Sequence, residues 1–150
     1  MRAAHSGSVV VKLWLALRTA LWLCMVPVLL RTNSVPGLLD RLRIAPSTPE
    51  NTNRLTTDCI VRVTARVSGF PLFRSWPFPR TCVRESLALA FALSRAGRPF
   101  EVHFGVRKEG QTLWGHSWIT INSEHNQREN RVFSTIYTYS FAGPTKKEFA

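Results

Sequence analysis

The period of the apolar pattern changes once in the second half of this chain, and that change narrows the folds open to it. Cys82 to Arg95 reads Cys-Val-Arg-Glu-Ser-Leu-Ala-Leu-Ala-Phe-Ala-Leu-Ser-Arg, good helix formers nearly throughout, with Leu87, Ala90, Phe91 and Ser94 along one side. Gly97 supplies a stop and Arg98-Pro99 an exit. From Phe100 the period falls to two: Phe-Glu-Val-His-Phe-Gly-Val alternates as a half-buried strand does. After a turn at Lys108-Glu109-Gly110, Leu113–Ile121 puts Trp114, His116, Trp118 and Thr120 on one face. Leu113, Gly115, Ser117, Ile119 and Ile121 take the other. Asn122–Asn130 is a polar loop, and Val132–Tyr139 is rich in strand formers. The expectation is a helix packed on a small antiparallel sheet, an α+β fold.

Upstream, Leu55, Cys59, Val63 and Val67 recur every four residues, which suits one face of a helix ended by Gly69 and makes Cys59 a core thiol. Phe70 to Arg80 holds three prolines and cannot continue that helix. It delivers the chain to Thr81, a candidate N-cap, with Glu85 four residues on.

The first third is apolar from Val9 to Leu30 and carries no acidic residue before Asp40. A membrane span is interrupted by Lys12 and Arg18. A signal peptide lacks its small-residue cleavage site, since Pro27 lies inside the run and Leu-Leu-Arg-Thr-Asn follows. The favoured reading is a helix buried against the rest of the protein, or lying in a membrane interface with Trp14 and Trp22 as anchors. Pro36-Gly37 marks a break, Leu38–Ile44 reads as a short amphipathic helix, and Ala45–Asn53 is a linker by composition. The division expected is a helical region and linker over residues 1–50 and a main domain over 51–150.

A formal net charge of +11 calls for an anionic partner. Nucleic acid is disfavoured, because the basic residues are scattered and no zinc-finger or RNA-binding signature is present. A basic surface for an acidic peptide, or for anionic lipid, fits as well. The odd count of three cysteines argues against a disulfide framework and for a reducing compartment, hence the cytoplasm. There is no Cys-x-x-Cys pair and no zinc-ligand spacing among the histidines, so neither a metal nor a cofactor is expected.

Two residues stand in settings that chemistry would use. Cys82 opens the helix, where the dipole and unpaired amides favour a thiolate and can serve an oxyanion. His116 lies on a strand between two tryptophans, a site that could exclude water and orient the ring as a general base. His103, within an alternating apolar strand, reads as structural without a polar partner nearby; His125 reads as solvated and His5 as part of a floppy terminus.

Thr-Cys-Val-Arg-Glu-Ser-Leu-Ala-Leu, then Gly-Arg-Pro-Phe-Glu-Val-His-Phe-Gly-Val-Arg, then Gly-His-Ser-Trp-Ile-Thr-Ile resembles the transglutaminase-like leader peptidase of lasso-peptide biosynthesis. The similarity is specific over about Arg80–Trp118 and weaker to Tyr139, and the basic, Leu- and Trp-rich N-terminal helices are also similar. The resemblance implies a papain/transglutaminase-like core acting as a cysteine peptidase on a ribosomal precursor peptide. Cys82 would be the nucleophile and His116 the general acid and base. It also implies a small leader-binding protein (a RiPP recognition element) and a macrolactam synthetase as partners.

That family carries an acidic third residue, usually Asp, about a dozen positions past the histidine. Here Arg128 holds that offset. Glu129 is the favoured substitute, with Asn126 and Glu124 as alternatives; a carboxylate or amide oxygen there would fix the imidazole tautomer. Should none reach His116, the expectation becomes a weak or inactive transglutaminase-like protein acting as a peptide-binding scaffold.

Overall fold

The structure is a computed structural model and describes residues 9–44, 55–73, 81–121 and 132–142. Its elements run α1 (Val9–Thr32), α2 (Val35–Ile44), α3 (Thr57–Ser68), α4 (Cys82–Arg95), β1 (Phe100–Glu109), β2 (Thr112–Thr120) and β3 (Ser134–Phe141), with a 3-10 turn at Pro71–Phe73. Helices pack beside a three-stranded antiparallel sheet, which is the α+β class expected.

The long apolar run becomes α1, which continues through Pro27. One side is buried by Leu15, Thr19, Leu23 and Val26, while Val10, Leu13, Leu17, Leu21, Met25 and Val28 stand exposed on the other. Trp22 stacks on Phe91 of α4, with ring centroids 4.1 Å apart. Arg18 lies 4.2 Å over Trp14, its pKa lowered by burial and by the nearby charge of Arg95. α1 thus joins the core along one side, supported about equally by α3 and α4. By length and composition it could also cross a membrane.

The break after α1 comes at Asn33-Ser34 rather than at Pro36-Gly37. Pro36 and Gly37 sit inside the first turn of α2, where Ser34 accepts a hydrogen bond from the Gly37 amide at 3.3 Å. A proline costs little there, because first-turn amides have no partner within the helix. The expected linker at 45–53 lies outside the described residues.

Thr56 caps α3, accepting from the Cys59 amide at 3.3 Å. The buried stripe is displaced by about one residue from the apolar one: Ile60, Thr64 and Ser68 point inward, whereas Cys59, Val63 and Val67 are half-buried. α4 spans the predicted residues and is buried almost all round, because α1 and α3 cover one side and the sheet the other. Gly97, at φ 63°, turns the chain out of the helix toward β1.

The sheet order is β2-β1-β3. β1 extends to Glu109, so the hairpin turn is Gly110-Gln111 instead of Lys108–Gly110; Gly110 takes the positive φ of 59° that such a turn needs. Register pairs Val102 with Ile119 and Tyr139, and Phe104 with Ser117 and Tyr137, on the face toward α4. His103 lies between Trp118 and Thr138, and Gly105 between His116 and Thr135, on the opposite face. Tyr139 donates its hydroxyl to the Leu39 carbonyl at 2.9 Å, tying β3 to α2. The core gathers Leu15 and Val26 of α1, Leu39, Ile60, Leu87, Leu93, Phe100 and Val102.

His103 corrects the sequence reading. Its ring does have polar partners: Nε2 meets Thr120 Oγ1 at 2.9 Å and Nδ1 meets Thr138 Oγ1 at 3.1 Å. Both threonines come from neighbouring strands, so period-two alternation within one strand could not reveal them.

Candidate active site

Cys82 is the first residue of α4, and its position is fixed by what precedes and follows it. Thr81, in extended conformation, accepts from the Arg84 amide at 3.2 Å. A cap of this kind contributes about 1 kcal/mol to helix stability. Arg84 then reaches back and donates from Nη2 to the Phe73 carbonyl at 2.6 Å, holding the 3-10 turn beside the start of the helix. Its side chain is 2 % exposed. Burial lowers the guanidinium pKa, with Cys24 and Glu85 acting in the opposite sense. The cysteine therefore stands on a helix start anchored from both chain directions.

His116 is held by rings. It stacks on Trp118 (centroids 5.9 Å, 18° between planes) and meets Phe133 at 5.0 Å. Trp118 in turn stacks on His103 at 5.4 Å. The tryptophan on the other side, Trp114, is largely exposed. The enclosure expected from two tryptophans comes instead from Trp118 and Phe133. Gly105 makes this possible: a Cβ there would stand 2.9 Å from Trp118 Cη2 and 3.1 Å from Phe133 Cβ. A bare backbone at residue 105 is the floor on which the indole lies.

Cys82 and His116 line the same cleft, of about 310 Å³. α3 contributes Val61, Thr64, Ala65 and Ser68; α4 contributes Cys82, Glu85, Ser86 and Leu89; β2 contributes the four consecutive residues His116 to Ile119. Consecutive strand residues face opposite ways, so the cleft runs along the outer edge of β2 and takes side chains from both faces. Two of these lining residues are joined: Ser117 donates to Ser86 at 3.1 Å, a buried hydrogen bond. Ser86 lies one turn after Cys82 and Ser117 follows His116. This hydrogen bond therefore couples the two elements that carry the candidate pair.

Among the described residues no group of histidine, cysteine and acidic side chains could hold a metal ion. Glu129, Asn126, Glu124 and His125 lie outside the described residues. Sequence reasoning passed over Ser86, Ser117, Gly105, Phe133, Thr64 and Ser68. Two of these carried a signal: Ser86 is at i+4 from Cys82, on the same helix face, and Ser117 adjoins His116.

Residues 22–138 match the family described as the Transglutaminase-like superfamily. The chain belongs to it. A transglutaminase-like domain is commonly a cysteine peptidase or transferase fold, and a cysteine at a helix start sharing a cleft with a strand histidine is consistent with that chemistry. The matched segment begins at Trp22 within α1, so part of α1 and all of α2 lie inside the transglutaminase-like region. Comparison with curated proteins and with solved structures gave no match.

Proposed function

We propose that this transglutaminase-like protein is a cysteine endopeptidase that removes the leader from a ribosomal precursor peptide during lasso-peptide maturation. The observation that carries the reading is that Cys82, at the start of α4, and His116, on β2, line one cleft. In the proposed mechanism the Cys82 thiolate attacks the carbonyl of the last leader residue. Amides of the first turn of α4 other than that of Arg84, which Thr81 already engages, stabilise the oxyanion. The C–N bond breaks as the His116 imidazolium gives its proton to the leaving amine of the core peptide. Water, activated by His116, then attacks the thioester, releasing the leader carboxylate and restoring the thiol. The reaction needs no cofactor. Glu129 is the proposed acceptor for the second imidazole nitrogen, with Asn126 and Glu124 as alternatives.

A RiPP recognition element is proposed to deliver the precursor peptide, and a macrolactam synthetase to take the released core. The protein is proposed to act in the cytoplasm. The exposed apolar side of α1 and the +11 charge support peripheral contact with an anionic membrane surface. One observation favours a second reading, a peptide-binding scaffold with little activity: Arg128 stands at the offset of the family acid.

Incubating precursor peptide and leader-binding protein with wild type or Cys82→Ala decides between them. Cleavage by wild type alone supports the peptidase; binding without cleavage by either supports the scaffold; equal cleavage by both sinks the nucleophile assignment.

A further inference from the structure

The cleft wall contributed by α3 carries two hydroxyls where the apolar stripe of that helix would have offered valine. Thr64 and Ser68, one turn apart, line the cleft and are each 4 % exposed, while Val63 and Val67 beside them are half-buried. Burying hydroxyls in preference to adjacent valines forgoes apolar burial. It also requires hydrogen-bond partners to recover the lost hydration. Neither oxygen has a hydrogen-bond partner among the described residues. A helical threonine can return its hydroxyl to the carbonyl four residues back, and Thr19 of α1 does so, donating to Leu15 at 2.8 Å. Thr64 and Ser68 do not.

The spacing of the two hydroxyls suits a particular ligand. Residues four apart on a helix are displaced by about 6 Å along its axis. Groups on the same side of an extended chain recur every two residues, about 6.6 Å. A hydroxyl can donate to a carbonyl or accept from an amide, and an extended peptide offers both along each edge. The outer edge of β2 borders the same cleft.

We infer that Thr64 and Ser68 hold the backbone of the substrate peptide in an extended conformation, between α3 and β2, so that its scissile carbonyl is presented to Cys82. The inference rests on the peptidase reading above and adds the residues that position its substrate. Loss of these hydroxyls removes hydrogen bonds made only when peptide is bound, and leaves the thiol itself untouched.

The experiment compares two irreversible labels of Cys82, followed by intact mass. Iodoacetamide has no peptide part; pooled N-acetyl-tripeptidyl fluoromethyl ketones, varied in all three residues, do. In Thr64→Val and Ser68→Ala the peptidyl reagents should label about fivefold more slowly per hydroxyl removed. Iodoacetamide should react at the wild-type rate, and Thr64→Ser should restore peptidyl labelling. Thr64→Val should also melt higher than wild type, since a buried hydroxyl without a partner among the described residues has been replaced by an isosteric methyl. Unchanged peptidyl labelling in both variants, or equal slowing of both reagents, would overturn the assignment of Thr64 and Ser68. A wild type showing no preference for the peptidyl reagents would overturn the peptidase reading instead.

Discussion

Ser117 on β2 donates to Ser86 on α4 across 3.1 Å of buried space, in the wall of the cleft that Cys82 and His116 also line. Helix and strand come together here through a polar contact, flanked by Leu87 and Ile119 of the apolar core. Removing one partner leaves the other hydroxyl buried and unpaired. Ser86→Ala or Ser117→Ala should each destabilise the protein by about 1–3 kcal/mol. The double variant should cost less than the sum, because no orphaned hydroxyl remains. Urea unfolding of the four proteins measures this, and strict additivity would show that the contact is not formed.

Gly105 is the second structural dependency. An added methyl would meet Trp118 at 2.9 Å, and Trp118 is only 4 % exposed, with little room to withdraw. Gly105→Ala should therefore cost about 1–3 kcal/mol by overpacking. It should also displace the indole on which His116 stacks. Peptide cleavage should fall by more than the loss of folded protein explains, and the near-ultraviolet circular dichroism of the tryptophans should change. A variant with wild-type spectrum and activity would show that the indole is not held by that floor.

Thr81 sets the start of the nucleophile helix. Thr81→Ala removes the oxygen that accepts from Arg84 N at 3.2 Å and should lower stability by about 1 kcal/mol, whereas Thr81→Ser should retain it. Because fraying of the first turn moves Cys82, iodoacetamide labelling should slow in the alanine variant and recover in the serine variant.

Much of this architecture was legible in the chain, for reasons that differ by element. α4 declared itself through an uninterrupted run of helix formers between Thr81 and Gly97, both local signals. The first two strands followed from alternation and the third from its strand formers; β1 starts at Phe100 as read, while the other ends slipped by a residue or more because pairing, not propensity, sets strand length. Which face of α3 turns inward could not be read: the apolar stripe pointed to Cys59, Val63 and Val67, while tertiary packing buries Ile60, Thr64 and Ser68. Cys82 and His116 could be named from their local settings, but their sharing one cleft depends on how α4 lies across β2. The Ser86–Ser117 bond, the Thr120 and Thr138 partners of His103, and the contact of Phe133 with His116 all join distant parts of the sequence. Such contacts leave no periodic trace in a single chain.

The exposed side of α1 gives a fourth prediction. Leu17 and Leu21 lie within an apolar stripe from Val10 to Val28, on a helix whose only charged residues are Lys12, Arg18 and Arg31. Wild type should co-sediment with phosphatidylserine-containing vesicles and bind neutral phosphatidylcholine vesicles more weakly, the difference shrinking at high salt. Leu17→Glu with Leu21→Glu should abolish binding without unfolding the protein, since both side chains are solvent-facing. Retained binding by that variant would remove α1 as the contact surface, and a dimer dissociated by it would assign the stripe to self-association.

The covalent intermediate is the most direct test of the Cys82–His116 pair. Wild type is mixed with precursor peptide and leader-binding protein, quenched in acid within the first turnover, and weighed intact. The expected product is a hydroxylamine-labile adduct of the leader's mass less water, mapped to Cys82. It should be absent in Cys82→Ala and slow to form in His116→Ala. Full cleavage by Cys82→Ala, or a leader adduct on any other residue, would contradict Cys82 as the nucleophile.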